Sequence, residues 1–429
     1  MTFQIPRITQ PFDTSISLPG SKSIALRQIA IAALTDGITC LQGIPQCDDA
    51  DAMLECVQRL GAQVESTDGA KSDQSSDSII IRGPIDLHRD VRLDARMSGA
   101  STRLLIGLAA LRNGTTHIDG HPSLQRRTNA PLLDLLRRCG CQVEGDGGLP
   151  VTIRGPLQTQ TRLEIDGSLS SQYITALLII APWMQQDGPV QISISGALVS
   201  RPYLDITRNE MQKRGITASW RDARTLVVEP GVYAGGTVVI EGDATAASYF
   251  AGLATIHGGR VTLDNLGRTT HQGDYAFVDV MEALGASIAS DADTTTITGP
   301  HHLQSLEQVD MVSMPDAALT LIAMAPVIPG DTVISGLSTL HHKECDRLVC
   351  SHAELKRIGV QAKVGEEQIS VPYTAVDDLN PSVLSTYHDH RMAMAFSLPG
   401  SLTGTLTVDD PRVVDKTYPD FWRDFNRLI

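Results

Sequence analysis

A six-fold internal repetition restricts this chain's fold more than any other feature. A turn of small residues, followed by a helix-forming run that is apolar on every side, recurs roughly every 70 to 80 residues. The six openings are PGSKSIALRQIAIAALTDG from Pro19, MSGASTRLLIGLAALRNG from Met97, GSLSSQYITALLIIAP from Gly167, GDATAASYFAGLATIHGG from Gly242, MPDAALTLIAMAPVIPG from Met314 and HDHRMAMAFSLPG from His388. A run such as TALLIIA has no polar stripe, so it cannot lie on a surface and must be enclosed by other elements.

Each opening leads into a short strand-like run: Thr39–Leu41, Thr116–Asp119, Val190–Ser195, Arg260–Leu263, Thr332–Ser335 and Thr405–Val408. An amphipathic helix follows in every copy, predicted over Ala50–Leu60, Pro131–Arg138, Tyr203–Arg214, Tyr275–Leu284, Cys345–Ile358 and Tyr418–Leu428. Most of these close on a glycine (Gly61, Gly140, Gly215, Gly285, Gly359), the residue that tolerates the left-handed turn beyond a helix end. Alternating runs such as Gln63–Glu65 and Ser78–Arg82 then pair toward the next copy. Three units could bury three apolar helices inside a sheath of sheets, and 429 residues suit two such bodies. The chain is predicted to cross between them near Val238, with the strand Thr2–Leu18 joining the second.

A 42% hydrophobic and 20% charged composition is that of a globular protein, and 4% aromatics with 36 glycines implies cores of Ala, Leu, Ile and Val with many tight turns. A formal charge of −14 argues against a general nucleic-acid binder and makes any local cluster of Arg and Lys more informative. No run approaches the about 18–20 apolar residues of a membrane span. The opening MTFQIPRITQPFD carries no signal or transit pattern, so a cytoplasmic, bacterial chain is expected. Seven cysteines without a C-x-x-C pair fit a reduced compartment, with Cys139 and Cys141 buried as small apolar residues.

Helix starts carry unsatisfied N–H groups and a positive dipole end, so six alike would attract small, multiply negative ligands. Ser, Asp or Gly there could serve as caps alone. Capping does not call for Lys22, Arg27, Arg103 or Arg391, which are unfavourable at a helix start unless an anion is bound. The Lys22 turn reads G-S-K-S and lacks the upstream glycine of a P-loop. No metal-ligand spacing appears, and neither a metal nor another cofactor is expected.

Longer motifs extend along the whole chain: LPGSKS at Leu18–Ser23 with Arg27, GSLSSQYITALL at Gly167–Leu178, VSRPYLDIT at Val199–Thr207, PDAALT at Pro315–Thr320, KECDRL at Lys343–Leu348, DHRMAMAFSL at Asp389–Leu398 and DKTYPDFW at Asp415–Trp422. With them the chain resembles the 3-phosphoshikimate 1-carboxyvinyltransferases, or EPSP synthases. The resemblance implies an α/β fold of two domains, an inside-out α/β barrel of six βαβαββ repeats, three per domain. The domains would be residues 19–238, with the shikimate 3-phosphate site, and residues 1–18 plus 239–429, with the phosphoenolpyruvate cage and catalytic acids. The active site would lie in the cleft between them and close on substrate. The implied reaction transfers enolpyruvyl from phosphoenolpyruvate to the 5-hydroxyl of shikimate 3-phosphate, in the shikimate pathway to aromatic amino acids, within a monomer that glyphosate could inhibit.

The same resemblance assigns residues. Lys22, Ser23, Arg27, Ser170, Ser171, Gln172, Ser200, Tyr203, Asp316, Thr339 and Lys343 would bind shikimate 3-phosphate, with Arg201 in a basic position between Ser200 and Tyr203. Lys22, Gly99, Arg127, Gln172, Arg347, His390, Arg391 and Lys416 would bind phosphoenolpyruvate. Asp316, Glu344 and Lys22 would be catalytic, because the transfer needs a base at the substrate hydroxyl and an acid at the methylene carbon. The related transferase acting on UDP-N-acetylglucosamine fits less well, since its G-A-K-N turn and loop cysteine have no counterpart at Gly20–Ser23 or His121–Arg126. The chain departs from the family at Ala25–Leu26, read as repacking inside the helix, at Thr339 in place of a frequent Asn, and at Met97–Leu104. The last departure is expected to alter the fit of glyphosate more than that of the substrate.

Overall fold

The computed structural model describes residues 2–67, 78–158, 161–184 and 188–429. It divides into two compact units, Gly20–Ile240 and Met1–Pro19 with Glu241–Ile429. The six apolar runs are all helices: α1 Lys22–Leu34, α2 Gly99–Ala110, α3 Ser171–Ile180, α4 Ala244–His257, α5 Ala318–Met324 and α6 His390–Thr403. Nearly every residue in them is buried, including Ala25 and Leu26, as a helix without a polar face requires. In the first unit α1, α2 and α3 pack on one another, and in the second α4, α5 and α6 do the same.

Around α1–α3 stand three four-stranded sheets. Their strand orders are Gly236–Val239, Gly37–Gln42, Ser78–Gly83, Gln63–Thr67; Val91–Asp94, Thr116–Asp119, Val151–Arg154, Gln142–Glu144; and Arg162–Asp166, Val190–Ser195, Thr225–Val228, Ala218–Asp222. In each the first pair is parallel and the rest antiparallel. A parallel neighbour needs a crossover, which the buried helix supplies in the second and third sheets. The second unit has two such sheets, Asp13–Ile16, Arg260–Leu263, Thr295–Thr298, Ser287–Ser290 and Gln308–Asp310, Thr332–Ser335, Ile369–Val371, Lys363–Val364. Its third sheet has three strands, with Phe3–Gln4 antiparallel to Leu406–Val408, which is parallel to Ser382–Leu384.

The first repeat of each unit is completed from elsewhere in the chain. Asp13–Ile16 leads into α1 of the first unit but pairs with Arg260–Leu263 of the second, whereas Gly236–Val239 leads into α4 of the second unit but pairs with Gly37–Gln42 of the first.

The sheets do not close into a barrel; each unit keeps three separate ones. Outer helices occupy the joints: Asp48–Arg59 packs against strand Val91–Asp94 of the next sheet, and Ala130–Arg138 against Arg162–Asp166. Side chains therefore fill the place where ladder hydrogen bonds would close the ring. The glycines predicted to end the outer helices, Gly61, Gly140, Gly215, Gly285 and Gly359, all have positive φ. Among the described residues, no helix is long and apolar enough to cross a membrane.

Candidate active site

The charged side chains gather at the N-terminal ends of the buried helices, unit by unit. In the second unit, Asp316 precedes α5 and its carboxylate meets Lys343 at 2.9 Å, Arg347 at 3.0 Å and Arg391 at 3.2 Å. Arg391 belongs to the first turn of α6 and also donates to the Tyr249 hydroxyl of α4 at 3.3 Å. These contacts bring the starts of α4, α5 and α6 to one place. Lys416 reaches Glu344 at 2.7 Å, and Arg347 reaches the other Glu344 oxygen at 2.9 Å.

Arg347 is the hub. It is 1% exposed, and its Nε donates to Asp389 at 2.7 Å while Nη2 donates to the second Asp389 oxygen at 3.2 Å. Burial opposes its charge, but Asp389, Glu344 and Asp316 outweigh burial and hold the guanidinium above its ordinary range. Burial alone would raise the Asp316 carboxyl, but the fields of Lys343, Arg391 and Arg347 together win and hold it well below the usual carboxylate range. Four cations (Lys343, Arg347, Arg391, Lys416) thus stand against three carboxylates (Asp316, Glu344, Asp389), leaving a surplus of positive charge for an anionic ligand. His390 is buried beside Asp389, with Nδ1 at 3.6 Å from Oδ1. The Thr339 hydroxyl is buried with no hydrogen-bond partner among the described residues.

The first unit repeats the pattern. Lys22 opens α1 and pairs with buried Asp49 at 3.0 Å, and the Asp49 carbonyl lies 3.4 Å from the Ser101 hydroxyl in α2. Ser98 caps α2 and Ser170 caps α3, each accepting from a backbone N–H of the first turn. The Thr128 carbonyl accepts from Arg103 of α2 at 2.9 Å and from the Tyr173 hydroxyl of α3 at 2.8 Å, fixing the loop that carries Arg127. Gly99 leaves room for both guanidiniums, because a Cβ would lie 2.6 Å from an Arg127 nitrogen and 2.8 Å from an Arg103 nitrogen and would displace them. Within the altered Met97–Leu104 stretch, Leu104 points into the core while Ala100 is half-buried.

Arg27 points inward instead of outward. It donates to Thr207 at 2.8 Å, to the Ser23 carbonyl at 2.7 Å, to Thr175 at 3.4 Å and to the Tyr203 carbonyl at 3.1 Å, and burial pulls its pKa down to about 10. It fastens Ser23 and Tyr203. Ser23, Gln172 and Ser200 are half-buried and Ser171 is buried; Ser200 holds φ +53°, uncommon outside glycine. Arg201 is exposed and stacks on the Trp220 ring at 4.2 Å.

Three acids escaped the sequence reasoning. Asp389 pins Arg347, Asp49 holds Lys22, and Asp274 is buried with one oxygen accepting from Thr245 and the other without a partner among the described residues. Burial, then the field of Asp316, pushes Asp274 up to about 7. Only Asp389 left a signal, standing directly before the cationic start of α6.

Repeated α/β units whose helix starts carry half-buried Lys22 and buried Arg103 and Arg391 form the kind of basic setting suited to small anions. The family is not in doubt: the model of EPSP synthase (3-phosphoshikimate 1-carboxyvinyltransferase) matches residues 6–425, and the chain belongs to that family. Relatives bearing the name 3-phosphoshikimate 1-carboxyvinyltransferase include one from Escherichia coli O17:K52:H18, 36% identical over 423 residues, 97% of this chain and 96% of the relative. Another, from Trichormus variabilis, is 32% identical over 432 residues, covering 100% and 99%. Among solved structures, an EPSP synthase from Acinetobacter baumannii superposes with a TM-score of 0.81 at 22% identity, covering 100% of this chain and 98% of that one, and so shares the fold.

Proposed function

We propose that the clusters at the six helix starts carry out the reaction named for the family, transfer of the enolpyruvyl group of phosphoenolpyruvate to the 5-hydroxyl of shikimate 3-phosphate. The surplus cation of the second unit is the observation that carries this reading. Arg347, Arg391 and Lys416, with His390 beside them, receive the phosphate and carboxylate of phosphoenolpyruvate, and Lys22, Gly99, Arg127 and Gln172 of the first unit complete the set. Ser23, Ser170, Ser171, Gln172, Ser200, Tyr203, Thr339 and Lys343 receive shikimate 3-phosphate, with Arg27 fastening Ser23 and Tyr203.

Asp316 is the base. The cations that keep it ionised are those that bind the incoming anions. As a ligand draws their charge to itself, Asp316 recovers its basicity and takes the hydroxyl proton while the oxygen bonds to C2 of phosphoenolpyruvate. The methylene carbon C3 receives a proton from the Lys416–Glu344 pair, whose 2.7 Å hydrogen bond lets one proton pass between them, with Lys22 assisting. The tetrahedral ketal formed in this way then loses a C3 proton to Glu344 as the C2–O bond to phosphate breaks. Buried guanidiniums at fixed positions stabilise the departing phosphate without reorganising.

The test is phosphate release by the purified chain. It should require phosphoenolpyruvate and shikimate 3-phosphate together; release without the second substrate, or none with both, overturns the reading. The half-buried Ala100 at the start of α2 also supports a change in the fit of glyphosate greater than that in the fit of phosphoenolpyruvate itself, and an inhibition constant in the range of sensitive relatives would overturn that. A monomer is expected on sedimentation.

A further inference from the structure

The segment from Ser338 to Arg347 supplies Thr339, Lys343, Glu344 and Arg347 to the proposed site, and His341 stands in the middle of it. It runs as a 3₁₀ turn over Ser338–His342, a loop, and the start of the outer helix Arg347–Arg357. The His341 ring is held from both sides. Nδ1 lies 2.8 Å from Asp346 Oδ2, and Nε2 lies 2.7 Å from the Glu366 carbonyl oxygen.

Both oxygens are acceptors. The other oxygen of Asp346 takes the Val349 N–H at 3.1 Å, capping the helix that begins with Arg347, so Asp346 acts there as a carboxylate. A carbonyl can never donate. A neutral imidazole owns a single N–H, so one of its two short contacts would set lone pair against lone pair; only the doubly protonated ring donates to both. The groups facing the ring agree. Asp346 stands at the helix cap, and Glu366 and Glu367 stand in the turn between strands Lys363–Val364 and Ile369–Val371. On its own segment, His342 and Lys343 adjoin it, and Lys343 is engaged by Asp316 at 2.9 Å. The same turn is tied a second time, by Leu337 N–H to the Glu367 carbonyl at 3.0 Å.

We infer that His341 is a positioning residue that works as an imidazolium, clamping the segment that carries Lys343, Glu344 and Arg347 between the helix cap and the Glu366 turn. Its hydrogen bond to Asp346, then that to the Glu366 carbonyl, raises its pKa above the ordinary histidine value. A group raised on folding stabilises fully below its unfolded pKa of about 6.5, and that contribution is lost as pH rises through the folded value. Deprotonation releases one of the two contacts. The loop 342–346 then gains freedom where Lys343 and Glu344 sit.

The kinetic part of this inference rests on the functional reading above; the protonation part does not. In the wild-type full chain, ¹⁵N NMR of the histidine rings should show both His341 nitrogens protonated at pH 6.5, with a midpoint above that pH. The value of kcat/KM for phosphoenolpyruvate should fall several-fold as pH rises through the same midpoint. His341→Arg, permanently charged, should hold the low-pH value throughout, and His341→Gln should stay at the high-pH value throughout. A wild-type midpoint at or below 6.5, or one shared pH profile for all three proteins, would overturn the inference. Absence of turnover in every protein would refute the functional reading, while the NMR midpoint would still decide the clamp.

Discussion

Replacing Arg347 with Met removes the hub of the second unit's cluster while keeping a long apolar side chain in its place. The four carboxylate contacts of Arg347 go to three acids, and the loss does not fall on them equally. Asp316 retains Lys343 at 2.9 Å and Arg391 at 3.2 Å, and Glu344 retains Lys416 at 2.7 Å. Asp389, 0% exposed, loses its two Arg347 contacts and keeps, among the described residues, the Arg391 backbone N–H at 2.9 Å, the Cys345 thiol at 3.6 Å and His390 Nδ1 at 3.6 Å. Stranding one buried charge costs about 3–5 kcal/mol, so we expect Arg347→Met to lose about 3 kcal/mol at neutral pH. The sign with pH follows from Asp316. Its depressed folded pKa contributes stability above the unfolded carboxylate value of about 4, lost as pH falls through the folded value, so the deficit of the variant shrinks on acidification. Adding Asp389→Asn should restore much of the stability, because the stranded charge is gone. It should not restore activity, because the guanidinium proposed to hold phosphoenolpyruvate is still missing although the net charge of the cluster is back to its starting value, and kcat/KM for phosphoenolpyruvate should remain about ten- to hundredfold down, the worth of one charged hydrogen-bonding group. Urea unfolding of the single and double variants at pH 7 and about pH 3, below the unfolded carboxylate value, with steady-state kinetics at pH 7, measures both arms. A deficit below about 1 kcal/mol at pH 7, or no rescue of stability by Asp389→Asn, would refute the reasoning.

Asp316→Ala and Lys22→Met should each abolish turnover with the fold intact by circular dichroism; normal turnover in either removes that residue from the chemistry. Gly99→Ala should push Arg127 aside and raise KM for phosphoenolpyruvate about tenfold, equivalent to about 1.4 kcal/mol, with a nearly unchanged melting temperature. An unchanged KM would show that Arg127 yields at no cost. Asp274 is raised to about 7, so its burial costs stability as pH rises above the unfolded value of about 4. Asp274→Asn should therefore gain on the wild type between pH 5 and pH 8, on the order of 2–4 kcal/mol, and a pH-independent difference in urea unfolding would count against that burial cost.

Local chemistry made most of the elements legible in the sequence alone. Thr116–Asp119, Val190–Ser195, Arg260–Leu263 and Thr332–Ser335 are strands with the predicted ends, because alternation and flanking turn residues act within a few positions. The six buried helices were readable from the same kind of local pattern. Helix ends were less so. The last outer helix, expected over Tyr418–Leu428, is α-helical only over Phe421–Phe425 and ends as a 3₁₀ turn over Asn426–Leu428, since Pro419 disfavours the helical conformation at Tyr418 before it. Motif resemblance pointed to the family and to the cations at the helix starts. The partners of those cations depend on residues brought together only by folding. Lys22 meets Asp49, and Arg347 meets Asp389 across 42 positions, where no periodicity links one to the other. The exchange of Asp13–Ile16 and Gly236–Val239 between the units' sheets was likewise decided by pairing, as was the use of Phe3–Gln4 in the last sheet. A strand's sequence states that it will pair, but backbone hydrogen bonds are alike along every edge, so only the assembled tertiary structure selects the partner.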